Sequence, residues 1–143
     1  MLNIIFTFYI FIIMSIITKF HIYWLQGGLW PGKDKQDFID KVLGNGDEVP
    51  GLIAYIFVIL TFVIMAIFPL AIYYNIDLGI ISMYKQYVFL VFAIIFLLRG
   101  ATMFVSFLAK KATPIFLEYN KKFYAPLCLS LSISYFYLYT LYI

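Results

Sequence analysis

Four long apolar segments, separated by short polar ones, dominate the chain. Each holds about 21 to 23 residues, and Lys19 and Arg99 are the only Lys, Arg, Asp or Glu residues within them. A bilayer core of about 30 Å needs about 20 helical residues, so all four are long enough to cross it. They also lack the apolar–polar alternation of barrel strands. The pattern predicts an all-α, single-domain membrane bundle of four transmembrane helices, at residues 2–24, 52–74, 87–108 and 123–143.

The composition supports the same class of protein. Hydrophobic residues make up 65% of the chain and charged residues 12%, whereas an ordinary soluble domain is about 25% charged. A soluble enzyme, a disordered tail and a nucleic-acid-binding module are therefore excluded. Cys128 is the single cysteine, which excludes an intramolecular disulfide. We expect the first segment to be retained, because the basic stretch of a signal peptide does not precede it.

The lysines are divided unevenly between the loops. The second loop holds only Lys85, whereas the first and third loops, about 27–51 and 109–122, share a side and hold seven: Lys33, Lys35, Lys41, Lys110, Lys111, Lys121 and Lys122. Lysine and arginine concentrate in cytoplasmic loops. We therefore expect loops one and three in the cytoplasm and both termini outside.

Each of these two loops contains a short helical pattern. In loop three, Thr113 is a predicted N-cap and Pro114 the first helical residue. Loop one has an apolar helical face that ends at Gly44-Asn45-Gly46 and consists of Phe38, Ile39, Val42 and Leu43. Two placements fit such helices: flat in the membrane interface beside lipid headgroups, or packed across the end of the bundle.

Arg99 stands out among the apolar residues of the third segment, because an arginine well inside a span costs about 2.5–3.5 kcal/mol on insertion scales. Thr102, Ser106 and Lys110 follow it at helical spacing, forming one polar stripe on an apolar helix. Two interpretations are open. Arg99 anchors an anion or a carbonyl group in a cavity open to the cytoplasm, or it is fixed by backbone carbonyls and tyrosines and holds the bundle together.

His21 is the only histidine and lies near the cytoplasmic end of the first span. Thr18 and Trp24 share its stripe, and Lys19 with Tyr23 forms a neighbouring one. An axial cofactor ligand or a proton carrier is one interpretation; an interfacial histidine of the aromatic belt is the simpler one. No Asp, Glu or Cys lies beside it at ligand spacing, so no metal site is predicted.

Three segments together carry a family resemblance. They are His21-Ile22-Tyr23-Trp24-Leu25-Gln26-Gly27-Gly28 with Trp30, Phe96-Leu97-Leu98-Arg99-Gly100, and Phe123-Tyr124-Ala125-Pro126-Leu127-Cys128-Leu129. The set resembles the DUF3995 family of small bacterial four-span membrane proteins of unknown function. Met103 and Asn120 depart from it, since the family often has aspartate at or near these positions. The resemblance implies a bacterial inner-membrane location but says nothing about activity, and it groups His21, Tyr23, Trp24, Arg99, Tyr124 and Cys128 in one region.

Two functions follow as hypotheses. In the first, the chain binds a lipid, a quinone or a similar amphipathic ligand. Arg99 holds the headgroup and His21 moves a proton, and the site also contains Tyr23, Trp24, Thr102 and Tyr124. In the second, the chain is a non-catalytic structural or accessory subunit that packs against a membrane-protein partner or another copy. A transporter of four spans would need a dimer. Neither a catalytic residue nor a cofactor is specified by the pattern.

Overall fold

The structure is a computed structural model that describes residues 1–104 and 112–143. Every regular element in these two ranges is helical, which confirms the all-α class. The helices are α1 Leu2–Leu25, α2 Lys35–Phe38, α3 Leu52–Tyr73, α4 Ile80–Met83, α5 Lys85–Ala101, α6 Pro114–Tyr119 and α7 Ala125–Thr140. A π-helical turn, Ile39–Leu43, continues α2; a second, Asn120–Tyr124, leads from α6 into α7; and a 3-10 turn, Thr102–Phe104, continues α5.

Four long helices occupy the four apolar segments of the sequence. Of these, α1 and α3 are long and apolar enough to cross a membrane by length and composition. The regular parts of α5 and α7 are shorter, 17 and 16 residues, because a 3-10 turn follows α5 and a π-helical turn precedes α7. Ser106, Lys110 and Lys111, with the end of the third predicted span, lie outside the described residues.

The long helices pack around one apolar core. Helix α1 lies against α3 and α7, and α5 lies against α7. All four contribute wholly buried side chains, among them Ile10, Met14, Met65, Phe89, Leu131 and Tyr135. Burial of this kind stabilises a fold through close packing even where lipid replaces water outside.

Serine and tyrosine hydroxyls join these helices. Tyr9 Oη lies 2.6 Å from Ser130 Oγ, between α1 and α7. Ser132 Oγ donates to the main-chain oxygen of Ala93 over 2.8 Å, between α7 and α5. Small hydroxyl residues at helix contacts allow close approach and supply such bonds.

Loops one and three meet at one end of the helices. The Thr113 N–H donates to Gly44 O over 2.7 Å, and its hydroxyl donates to Asp40 O. The two loops therefore lie at the same end of the helices; their cytoplasmic location remains a prediction. Phe38 and Ile39 are buried inside the protein, so of the two placements for the loop-one helix, the one observed is packing across the bundle end.

Candidate functional site

Arg99 lies in the last turn of α5 and is half-buried. Its Nη1 donates to Asn120 Oδ1 over 2.9 Å and to Thr102 Oγ1 over 3.2 Å. The Thr102 hydroxyl in turn donates to Arg99 O over 2.7 Å. Thr102 therefore stands beside Arg99, as the helical spacing predicted.

Asn120 is a site residue that the sequence pattern did not single out as a partner. It is 3% exposed and begins the π-helical turn that leads into α7. Twenty-one positions separate it from Arg99, so no helical periodicity relates the two. The one available signal was the polar residue at a position where the family resemblance suggested an aspartate.

The positive charge of Arg99 is not paired with a carboxylate. Both hydrogen-bond partners of Nη1 are neutral, and residues 105–111 contain no Asp or Glu. The ion pairs within the described ranges join Lys41 to Asp37 and Lys122 to Glu118. Within the described residues, Arg99 Nη1 has hydrogen-bond acceptors, and Arg99 Nε and Nη2 have none. A guanidinium presents five donors in a fixed fork, so the described residues satisfy only part of it.

Phe116 borders the arginine on the loop-three side, and Tyr124 lies next to Phe116. The guanidinium carbon lies 5.9 Å from the centre of the Phe116 ring, within the range of a cation–π attraction. The Phe116 and Tyr124 rings are 6.1 Å apart. The Tyr124 hydroxyl donates to Lys41 O over 3.1 Å, so it is committed to loop one rather than to the arginine.

His21 lies in a separate aromatic environment. Its Nδ1 is 2.8 Å from Ile17 O; since a carbonyl oxygen only accepts, Nδ1 carries the proton and Nε2 of the neutral ring is the acceptor. The ring stands edge-on to Trp24 and Phe62, with centres 4.8 and 4.9 Å away. Trp24 also contacts Phe38, at 5.5 Å.

The Tyr23 side chain contacts Gly28 and Trp30. Its hydroxyl accepts from the Trp30 N–H over 3.5 Å, and its ring packs so closely on Gly28 that a Cβ there would lie 2.3 Å from it. Tyr23 lines an open groove of about 660 Å³ together with Lys19.

The structure thus gathers the predicted residues into two clusters rather than one. The arginine cluster consists of Arg99, Thr102, Phe116, Asn120 and Tyr124. The histidine cluster consists of His21, Trp24, Phe38 and Phe62. Loop one connects the two clusters, because its Phe38 belongs to the histidine cluster and its Lys41 O accepts from Tyr124 of the arginine cluster. Within residues 1–104 and 112–143, no hydrogen bond or ring contact joins His21 to Arg99.

These helices and clusters define an all-α protein with polar and aromatic side chains concentrated where loops one and three meet. The profile of a family described as "Protein of unknown function (DUF3995)" matches residues 14–135. The chain therefore belongs to the DUF3995 family, which confirms the resemblance carried by the three sequence segments. No curated protein and no solved structure matches it.

Proposed function

We propose that this protein crosses the membrane with four helices and that Arg99 binds the anionic or carbonyl headgroup of a lipid, a quinone or a similar amphipathic molecule. Membrane residence is supported by α1 and α3, which have the required length and apolar character. The division of the lysines supports cytoplasmic loops one and three. The ligand site then lies toward the cytoplasmic leaflet.

The observation that carries this proposal is the unpaired charge of Arg99. Hydrogen bonds to a neutral amide and a neutral hydroxyl orient the guanidinium without neutralising it. A charge inside a membrane protein is costly and usually serves a function. A phosphate or carboxylate accepting from Nε and Nη2 in the bidentate manner typical of arginine would neutralise it.

The other predicted residues take supporting roles in this proposal. Thr102 and Asn120 hold Nη1, which fixes the direction of the remaining donors. Phe116 forms the aromatic side of the headgroup site, and the Tyr124 ring packs next to Phe116. His21 and Trp24, in the histidine cluster, lie toward α1 and connect to this site through loop one, whereas Tyr23 lines a separate groove.

A structural or accessory role is the second candidate, and one observation favours it. The Arg99–Asn120 bond joins α5 to the turn that leads into α7, so the arginine also fastens two helices together. The exposed apolar face of α3 would then contact a membrane-protein partner or another copy; it includes Ile53, Phe57, Leu60, Ile64 and Ile67.

Native mass spectrometry of the protein gently extracted from its own membrane tests the choice. Three variants are compared with the unchanged chain: Arg99→Gln, Asn120→Ala and, as a matched loss of charge, Lys121→Gln. Lys121 is exposed near the same end of the molecule. We expect a discrete small-molecule adduct that disappears in Arg99→Gln and persists in the other two.

Thermal unfolding of the same variants separates the two functions. A ligand site predicts that Arg99→Gln remains folded while its adduct is lost. A purely structural arginine predicts that Arg99→Gln and Asn120→Ala destabilise the chain alike, by about 1.5–3 kcal/mol for a hydrogen bond to a charged group, with no adduct in any sample. The second result, or a stoichiometric co-extracted protein that Arg99→Gln releases, would refute the ligand site.

A further inference from the structure

Two open grooves flank Lys19 on the surface of α1. The Trp30 groove has a volume of about 660 Å³ and is lined by Ile16, Lys19, Phe20, Tyr23 and Trp30. The α3 groove has a volume of about 220 Å³ and runs between α1 and α3, where its lining includes Lys19, Ile22, Val63 and Ile67. Lys19 is thus the shared boundary of two largely apolar grooves.

The outer wall of the Trp30 groove is held in place. The Trp30 ring stacks on Phe20, with centres 5.3 Å apart and planes inclined by 19°. The main-chain oxygen of Trp30 accepts from Trp24 Nε1 over 2.8 Å, and its N–H donates to the Tyr23 hydroxyl. Trp30 is nevertheless 61% exposed. A fixed, exposed aromatic face of this kind is a preformed surface for a hydrocarbon chain.

The charge of Lys19 has no acidic counterpart in either groove. None of the lining side chains is Asp or Glu, and the side chain is exposed. Lys19 precedes the end of α1 by six residues, about 9 Å along the helix axis. A lysine stem is long enough to carry its ammonium group from that depth toward the polar interface, where tryptophan and tyrosine also concentrate.

We propose that Lys19 binds the phosphate of an anionic phospholipid with two acyl chains, one in the Trp30 groove and the other in the α3 groove. One cation between two apolar grooves matches one headgroup between two chains. This site is distinct from the arginine cluster; it rests on the proposed membrane location and is independent of a ligand at Arg99. A free phosphate ion would meet the charge and leave both grooves unfilled.

The test uses the full chain in nanodiscs of phosphatidylcholine mixed with phosphatidylglycerol, with the retained lipids identified by native mass spectrometry. We expect retained phosphatidylglycerol to exceed its share of the bilayer. Lys19→Gln should lower this enrichment by about fivefold, the effect of one lysine at a lipid surface. Lys19→Arg should keep it, and Lys121→Gln, an exposed lysine away from both grooves, should leave it unchanged.

Three further comparisons distinguish the Lys19 site from the arginine cluster and test the role of the paired grooves. Arg99→Gln should leave the enrichment intact, so the loss of the Arg99 ligand and the loss of the Lys19 lipid are distinguishable. Phosphatidylglycerol with a single acyl chain should be retained less than the two-chain lipid, and Trp30→Ala should weaken retention of the latter.

Four results would each overturn the proposal. Equal losses in Lys19→Gln and Lys121→Gln would indicate general surface charge. Equal retention of one-chain and two-chain lipid would remove the role of the paired grooves. Displacement of the lipid by inorganic phosphate would indicate a simple anion site. A dimer that Lys19→Gln dissociates would show that a second copy covers the grooves.

Discussion

The hydroxyl of Tyr135 donates to the helical carbonyl that Pro69 leaves without its usual partner. In a regular α-helix the N–H of residue 69 would bond to Met65 O, but proline has no N–H. Tyr135, on α7 and wholly buried, approaches that oxygen to 2.8 Å. A buried carbonyl needs a donor wherever water is excluded, so the proline in α3 and the tyrosine in α7 form a matched pair.

Tyr135→Phe should therefore destabilise the protein by about 1 kcal/mol, the net value of a buried hydrogen bond. Pro69→Ala restores an N–H within α3, so Tyr135→Phe should have a smaller effect in that background. A double-mutant cycle followed by thermal unfolding measures the coupling. Additive effects of the two substitutions would contradict the pairing.

Asn120→Asp separates the charge of Arg99 from its position. The carboxylate would keep the hydrogen bond to Nη1 and neutralise the guanidinium, so we expect retention of an anionic ligand to fall by about tenfold, or about 1.4 kcal/mol. The fold should remain at least as stable, because an ion pair replaces a hydrogen bond in which only the arginine is charged. Adduct occupancy by native mass spectrometry checks this.

Asn120→Ala is the control for that experiment. It removes the same hydrogen bond and leaves the positive charge, so ligand retention should fall much less than in Asn120→Asp, while thermal stability falls modestly. If the Asp and Ala variants retained the ligand equally, the charge of Arg99 would not be what binds it.

The order of loop one should depend on pH through Asp37 and Lys41. The Lys41 ammonium donates to Asp37 over 2.7 Å and, with the Lys33 N–H, lowers the pKa of that carboxyl; the same bond raises the pKa of Lys41. A lowered acid pKa stabilises the fold above the ordinary carboxyl value of about 3.9, and a raised amine pKa stabilises it below the ordinary lysine value of about 10.4. The protection factors for amide hydrogen exchange of residues 31–44, which are corrected for the intrinsic pH dependence of exchange, should be highest between these limits.

On acidification, protection in loop one should be lost as pH falls through the lowered pKa of Asp37. Asp37→Asn should abolish this acid-dependent step. Glu118→Gln is the matched control. Glu118 and Lys122 form an ion pair with the same four-residue spacing, but both side chains are 61% exposed, and exposed ion pairs contribute little to stability. An acid step that survives Asp37→Asn would assign it to another group.

Gly44 and Gly46 provide a matched pair in the turn that ends loop one's helix. Both have positive φ angles, +85° and +90°, so alanine at either position adds about 1–2 kcal/mol of backbone strain. A Cβ on Gly44 would also lie 2.6 Å from the Phe116 ring, whereas one on Gly46 meets nothing within 4 Å. Gly44→Ala should therefore reduce the free energy of unfolding by about 1–3 kcal/mol more than Gly46→Ala.

Denaturant unfolding of the two variants measures that difference. Phe116 also contacts Arg99, so Gly44→Ala should disturb ligand retention as well, and Gly46→Ala should not. Equal destabilisation would mean that the ring moves aside without loss.

The helices were predictable from the sequence because their signals are local. The first residues of α1 and α3 are those at which the apolar runs begin, and the Thr113-Pro114 cap predicted the first residue of α6. The end of loop one's helix at Gly44 followed from the need for a positive φ angle. Each of these signals depends on residues a few positions apart.

The site was less predictable because its partners are distant along the chain. Nothing in the spacing relates Arg99 to Asn120, or Ser132 to Ala93. His21 and Arg99 were grouped because both lie near the same end, but a shared end of a helix bundle still leaves room for two separate clusters. The grooves beside Lys19 depend on how Trp30 folds back onto α1, which no helical periodicity describes.

The bonds from Thr113 to Asp40 and Gly44 give the molecule mechanically unequal ends. They join the α1–α3 hairpin to the α5–α7 hairpin through directional main-chain contacts. At the opposite end, the two hairpins meet through aromatic rings such as Phe6 and Tyr137, whose centres lie 4.6 Å apart, and a ring contact of this kind is less directional than a hydrogen bond. We therefore expect relative motion of the two hairpins to be smallest at the lysine-rich end and largest near the termini.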